Sequence, residues 1–206
     1  GGSPVQSSLI AARIRRLADE KQVPVFAFIE DVAASGGYWL ACAADEIFVD
    51  TCSITGSIGV ISAGFGLQDA IANYGVERRV HTAGKSKSMM DPFKKETPAD
   101  VKRLRGLLED LHATFIDYVK SRRGAKLADN PNLFTGEVFI GQKGLDQGLV
   151  DGIGHLVPVM KSRFGDKVTF RRYGQKRGLL SRFGARMVND AIASVEDRAA
   201  FARFGL

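Results

Sequence analysis

Cysteine is nearly absent from this 206-residue chain, with only Cys42 and Cys52 present. Their separation is not that of metal ligands, so neither a disulfide framework nor a zinc site organises the fold. Both lie among apolar or small neighbours and are expected to be buried thiols or packing residues. Histidine is also scarce, with three residues, His81, His112 and His155, none clustered with cysteines or carboxylates as metal ligands would be. No metal or other cofactor is therefore expected. No apolar run reaches the length of a membrane span, and there is no signal peptide. Internal repeats and low-complexity segments are lacking too. The chain opens on Gly1-Gly2-Ser3-Pro4 without an initiator methionine, and is expected to be a soluble fragment or processed form.

What is present is an ordinary globular composition, 45% apolar and 25% charged, in a chain long enough to bury a substantial core. The net charge of +6 is unevenly placed. Residues 161–206 hold eleven Lys and Arg against four acids, while residues 1–160 hold eighteen against nineteen. A basic stretch of this kind suits a membrane surface or an acidic partner, although a solvated face is its commoner explanation.

The pattern along the chain alternates. Ser7 or Ser8 is the expected cap of a helix through residues 9–18, with Ile10, Ile14 and Leu17 at helical spacing. Residues 23–29 are apolar and rich in β-branched and aromatic side chains, which predicts a buried strand. Residues 38–44 predict a buried helix, and 47–49 a second strand. Ser35 sits at the joint between the first strand and that helix, beside the unpaired N–H groups and positive dipole end of the helix. Cap and nucleophile are equally good explanations of a serine so placed.

Residues 51–62 mix glycines and hydroxyls with β-branched residues, predicting an extended ribbon with close backbone approach at the glycines. A short helix over 67–73, a strand over 76–81 and an irregular loop over 82–92 follow. Thr97 and Pro98 then start a long helix, with Val101, Leu104, Leu108, Leu111, Phe115 and Tyr118 in one stripe. Further pieces are a strand within 134–141, helices over 142–147 and 155–164, a strand over 168–173, and a weak amphipathic pattern at Leu180, Phe183, Met187 and Ala191. Alternation of this kind predicts an α/β fold with stacked, largely parallel strands and crossover helices.

Familiar nucleotide and esterase motifs fail on single residues. A phosphate loop at Gly84-Lys85-Ser86 requires glycine where Arg79 stands, and an esterase elbow at Ser35 requires glycine where Ala33 stands. Of the histidines, His81 at an expected strand end is the candidate for a Ser-His-Asp triad, and a structural role is the commoner reading for each. A serine can also be activated by a neutral lysine. That requires a lysine pKa ordinarily near 10.4 to fall by roughly three units, about 4 kcal/mol of desolvation or neighbouring positive charge. Lys85 and Lys87 both leave an expected strand end among Ala83, Met89 and Met90.

Several segments in order resemble the signal peptide peptidase A family of serine–lysine peptidases, whose fold is of the ClpP/crotonase-like superfamily. They are Gly1-Gly2-Ser3-Pro4, Ala34-Ser35-Gly36-Gly37-Tyr38, Thr55-Gly56-Ser57-Ile58-Gly59-Val60, Lys87-Ser88-Met89-Met90-Asp91-Pro92, and Thr135-Gly136 with Gly148-Leu149-Val150-Asp151 and Gly154. The resemblance implies Ser35 as nucleophile, Lys87, 52 positions later, as general base, and Ser57 as the hydroxyl that orients the lysine. It also implies an oxyanion hole from Gly36 with Gly1 or Gly2, and a substrate strand lying beside Gly56, Ile58, Gly59 and Val60. The expected partners are apolar peptides such as cleaved signal peptides and further copies of the chain in a homo-oligomeric ring. Association with the bacterial inner membrane is expected through the basic stretch or a region preceding Gly1; nucleic acid is not an expected partner. The expected organisation is a peptidase domain over residues 1–165 and a basic extension over 166–206. The competing classes are an acyl-thioester enzyme of the same superfamily and a non-catalytic scaffold acting through the basic stretch.

Overall fold

The computed structural model describes residues 1–174; the amphipathic pattern expected at Leu180 to Ala191 lies outside the described residues. The chain divides into one compact unit, Gly2–His155, and a second that comprises Gly1 and the residues from Leu156 onward.

In the first unit, helix α1 runs over Pro4–Lys21, starting earlier than the expected serine caps. Pro4 occupies the first turn, where its missing N–H costs nothing, and Ser3 is the N-cap residue without a side-chain cap bond. Ser7 is buried inside this helix rather than capping it. Strand β1 covers Phe26–Ile29. It is shorter than the apolar run because Pro24 has no donor and the Val25 amide is taken by Asp45 Oδ2 at 2.8 Å. After Glu30 and Asp31 the chain enters a separate strand, β2, Val32–Ala34, which the sequence pattern does not separate from β1.

Helix α2, Gly36–Ala41, follows, then β3, Glu46–Val49, and β4, Ile54–Gly56. Helix α3 covers Gln68–Asn73, and the long helix α4 covers Pro98–Arg123. Beyond a 3-10 turn at Gly124–Lys126 come β5, Val138–Ile140, helix α5, Gln142–Asp146, and the two-residue strand β6, Gly152–Ile153. In the second unit, α6 spans Leu156–Phe164.

Two sheets result. One has the order β1-β3-β6 with every pair parallel, and the other has the order β2-β4-β5 with β2 and β4 parallel and β4 and β5 antiparallel. The strands are largely parallel and joined by crossover helices, as the alternation of the sequence predicts. A fully buried hydroxyl ties the step from one sheet to the other: Ser53 Oγ lies 2.7 Å from Ile29 O and 2.8 Å from Glu30 O, and accepts the Asp50 amide at 2.9 Å.

The core gathers around α2. Tyr38, Cys42, Ile47, Ile58, Val119 and Leu149 are sealed from solvent. Trp39 stacks on Phe115 and Tyr118 with ring centroids 4.8 and 5.0 Å apart, an arrangement that adds about 1 kcal/mol per pair beyond area burial. The Tyr38 hydroxyl donates to Leu149 O at 2.7 Å. Burial pushes the Cys42 thiol up to about 12, so it is an inert packing group. Cys52, expected to be buried, is exposed, because it stands on the turn between β3 and β4.

Two arginines close the far end of α2. Arg122 donates to Cys42 O at 2.8 Å and Ala44 O at 3.0 Å, and Arg15 donates to Ala43 O at 3.1 Å. These bonds satisfy the carbonyls that a helix end leaves unpaired and place positive charge at its negative pole. Arg123, itself buried, grips Asp151 through bonds of 2.7 and 3.2 Å, while Asp151 Oδ2 also accepts the Ile47 amide at 2.8 Å. Burial alone would raise the Asp151 carboxyl, but bonds from Arg123 and Lys126 outweigh it and hold the group below the ordinary carboxylate range.

The helix expected from Thr97 forms as read, with Thr97 Oγ1 accepting the Asp100 amide at 3.2 Å. Of its apolar stripe only Phe115 is fully buried; Val101, Leu104, Leu108 and Tyr118 are half-buried and Leu111 is exposed. The strands expected over 76–81 and 168–173 do not form. Val76 and Tyr173 are exposed, and no neighbouring strand pairs with either segment among the described residues, so the period-two pattern has no face to bury.

Candidate active site

Ser35 occupies the turn from β2 into α2 with φ 54° and ψ −124°. Only three non-glycine residues among those described have positive φ: Gln22, which ends α1, Ser35 and Ser57. Such conformations cost about 1–3 kcal/mol and persist where the surrounding structure imposes them. At Ser35 the imposition comes from both sides. The strand ladder continues past Ala34 through Ser35 N to Gly56 O at 2.9 Å, and the Ser35 carbonyl accepts Trp39 N at 3.0 Å to start the helix. The serine makes no side-chain cap bond, which removes the cap explanation and leaves its hydroxyl available. This is the sharp strand-to-helix bend of a nucleophile elbow, reached without the glycine that the usual motif places two residues earlier.

Ser57 is brought alongside by the same ladder. Its backbone, at φ 52°, is held by a bond from Ser57 N to Glu137 O at 2.7 Å and another from Gly59 N to Ser57 O at 2.9 Å. Gly56, with φ +91°, leaves no room for a side chain: a Cβ would lie 2.9 Å from both Glu137 O and the Phe139 ring. The close backbone approach expected of this ribbon is therefore real, although only Ile54–Gly56 is regular strand.

Ser35 opens onto a cavity of about 120 Å³. Gly36, Gly59 and Val60 line it, Gly56 and Ile58 do not, and Gly2 and Pro4 form another part of its wall. The α1 segment and α2 meet closely here. A Cβ built on Gly36 would stand 3.1 Å from Gly2 N and 2.6 Å from Ser7 Oγ. Gly2 thus packs closely on Gly36, and both line the cavity with Ser35. Gly1 falls in the other unit and is not placed relative to this cavity.

Trp39, Ile61, Leu111 and Phe115 complete the wall and make it mostly apolar. The sequence pattern marks Leu111 and Phe115 as packing residues of a helix stripe but gives no sign that they face the serine, since that depends on how α4 crosses α2.

The lysines are placed differently. Lys85 and Lys87 stand on an exposed run of turns, and neither lines the serine cavity. Lys87 N bonds to Gly84 O at 3.2 Å, but no hydrogen bond joins Lys87 Nζ to Ser35 or Ser57 among the described residues. A single copy of the chain therefore assembles Ser35, Ser57, Gly36, Gly2, Gly56, Gly59 and Val60 without bringing in Lys87.

The histidines do not supply a base to Ser35 either. His81 is exposed on the irregular segment, His112 bonds to Ile58 O at 3.0 Å, and His155 pairs with Asp50 at 2.8 Å. The Asp50 carboxyl is held low first by the Cys52 amide and then by His155. No group of three or more metal-ligating side chains exists among the described residues.

Comparison with known proteins gives the family. The profile of peptidase family S49 matches residues 18–164. The chain is 30% identical over 157 residues to the chloroplastic serine protease SPPA of Arabidopsis thaliana, covering 76% of this chain and 23% of that protein. It is 46% identical over 222 residues to a Brucella melitensis protein named Na(+)/H(+) antiporter NhaA, covering all of this chain but 30% of that longer protein. The transport name is said of that whole protein; among the residues described here no helix is long and apolar enough to cross a membrane. A solved membrane-bound stomatin-specific protease aligns with a TM-score of 0.41 at 14% identity, over 74% of this chain and 61% of that one. The family profile runs from the last turn of α1 to the end of α6, and this chain belongs to peptidase family S49.

Proposed function

We propose that this domain hydrolyses peptide bonds in extended apolar peptides, such as cleaved signal peptides, through an acyl-enzyme on Ser35 assisted by Lys87. The observation that carries the reading is the left-handed, uncapped Ser35 on an apolar cavity that Gly36 and Gly2 also line. The Ser35 Oγ–H proton passes to neutral Lys87 as Oγ bonds to the substrate carbonyl carbon. The oxyanion is held by the Gly36 and Gly2 N–H groups. Collapse breaks the C–N bond, and Lys87 returns the proton to the departing amine. Water then cleaves the ester by the same route in reverse.

Gly56 is paired on both edges, with Ala34 and Val138, so the substrate lies as an added strand beside the residues after it, where main-chain bonds at Gly59 and Val60 give affinity and the pocket at Trp39 and Phe115 gives preference for an apolar side chain. Lys87 reaches the serine when its loop orders, either against substrate or against a second copy in a homo-oligomeric ring. Exposed Ile61, Phe65, Tyr74 and Met90 in the same part of the chain supply apolar surface for such an assembly. Contact of the parent protein with the bacterial inner membrane would use the basic residues of 161–206 or a region outside this chain.

The test combines covalent labelling with turnover. A serine-reactive phosphonate should modify wild-type protein and not Ser35→Ala, and Lys87→Ala should lose turnover of an apolar fluorogenic peptide while keeping its unfolding temperature. Undiminished turnover in Lys87→Ala would overturn the base assignment, and equal loss in Lys85→Ala would reopen the choice between the two lysines.

A further inference from the structure

The residue that shapes the substrate side of the cavity comes from α4, and it is one that the motifs do not mark. His112 Nε2 lies 3.0 Å from Ile58 O. A carbonyl oxygen only accepts, so Nε2 carries the hydrogen in this bond. Its sequence neighbour Leu111 and, one turn on, Phe115 line the serine cavity, as do Gly59 and Val60 immediately after Ile58. The bond therefore joins the two walls of the cavity at one point.

Ile58 is a place where such a bond has leverage. Its side chain is fully buried, so the residue cannot rotate as a whole. On one side stands Ser57 in its left-handed conformation, and the bond from Gly59 N to Ser57 O at 2.9 Å bends the chain around Ile58. Regular strand structure ends at Gly56, so no ladder holds residues 58–60. The Ile58 carbonyl is fixed instead by His112.

We infer that His112 is a positioning residue: by donating to Ile58 O from the adjacent helix it holds the Ile58-Gly59-Val60 ribbon in the shape that receives an extended peptide beside Ser35. It also takes the Ile58 carbonyl out of the set of groups offered to the substrate, and with Gly59 N bonded to Ser57 O this leaves the Gly59 carbonyl and the Val60 backbone to do the pairing. The inference rests on the proposed peptidase reading but makes a separate claim, about peptide affinity rather than bond cleavage. With Nε2 donating to Ile58 O, that nitrogen has no lone pair to offer Ser35.

The experiment measures binding of a fluorescein-labelled, Ala- and Leu-rich decapeptide by anisotropy, in Ser35→Ala protein so that no cleavage intervenes. His112→Leu, which fills space without a donor, and His112→Gln, whose side-chain amide can donate from nearly the same place, are compared on that background. The expected result is affinity weakened about tenfold by His112→Leu, the scale of one unpaired carbonyl. His112→Gln should stay within about threefold of the parent. In otherwise wild-type protein the same pair should split KM from kcat, with KM raised in His112→Leu and kcat little changed. Unchanged affinity in His112→Leu, or equal weakening in both variants, would overturn the inference. Failure of the nucleophile assignment shows itself separately, as peptide turnover that survives Ser35→Ala.

Discussion

Replacing Gly36 by Ala tests how the oxyanion site is built. The added Cβ would stand 2.6 Å from Ser7 Oγ and 3.1 Å from Gly2 N, with Gly2 O at 3.4 Å. The hydroxyl of Ser7 can rotate aside. The Gly2 backbone cannot, and a contact of 3.1 Å requires it to retreat by a few tenths of an ångström. That retreat moves one of the two proposed amide donors away from the oxygen while leaving Ser35, its elbow and the apolar wall in place. Loss of one oxyanion donor costs about 100- to 1000-fold in kcat, or roughly 3–4 kcal/mol of transition-state stabilisation. Gly36→Ala should therefore lose about two orders of magnitude in kcat with KM changed by no more than about threefold, and its unfolding midpoint should fall only slightly. Steady-state kinetics on an apolar peptide, with phosphonate labelling to count competent serines, measures both quantities. A kcat within about threefold of wild type would refute the placement of Gly2 as the second donor. A kcat loss matched by an equal loss of folded protein would refute the claim that the contact is local.

Gly148→Ala should fail differently, through folding: Gly148 has φ +70° and its Cβ would run into the Lys126 carbonyl, so circular dichroism should show a destabilisation of several kcal/mol or no folded protein, whereas a near-native melting temperature would contradict the packing of the 3-10 turn against α5. Asp151→Asn leaves the buried Arg123 without its anion and should destabilise by about 3 kcal/mol in urea unfolding at neutral pH. Because the folded carboxyl titrates below its ordinary value, its contribution is present above the unfolded carboxylate pKa near 4 and is lost as pH falls through the folded one. Wild type should thus lose its advantage over Asp151→Asn on acidification, and a difference independent of pH would refute the charge assignment.

The sequence by itself determined the strand-to-helix joint at Ser35, the start of α4 at Thr97 and Pro98, and the alternation that makes an α/β fold, because caps, proline and hydrophobic period act within a few residues. Motifs in order also carried the family, since side-chain identity at Ser35, Ser57 and the glycines is itself the signal. The same local rules erred where a distant partner decides. Residues 76–81 have strand period but no neighbour to pair with, Val25 gives its amide to Asp45, and Cys52 is turned outward by the turn it stands on. Only the tertiary structure decided that β1 and β2 belong to different sheets, that Ser35 and Ser57 are both left-handed, that Leu111 and Phe115 line the serine cavity, and that His112 meets the Ile58 carbonyl. Each of these depends on contacts between segments tens of residues apart, such as Ile58 with His112 and Gly36 with Gly2 and Ser7, and no periodicity encodes which face of α4 meets which turn of the ribbon.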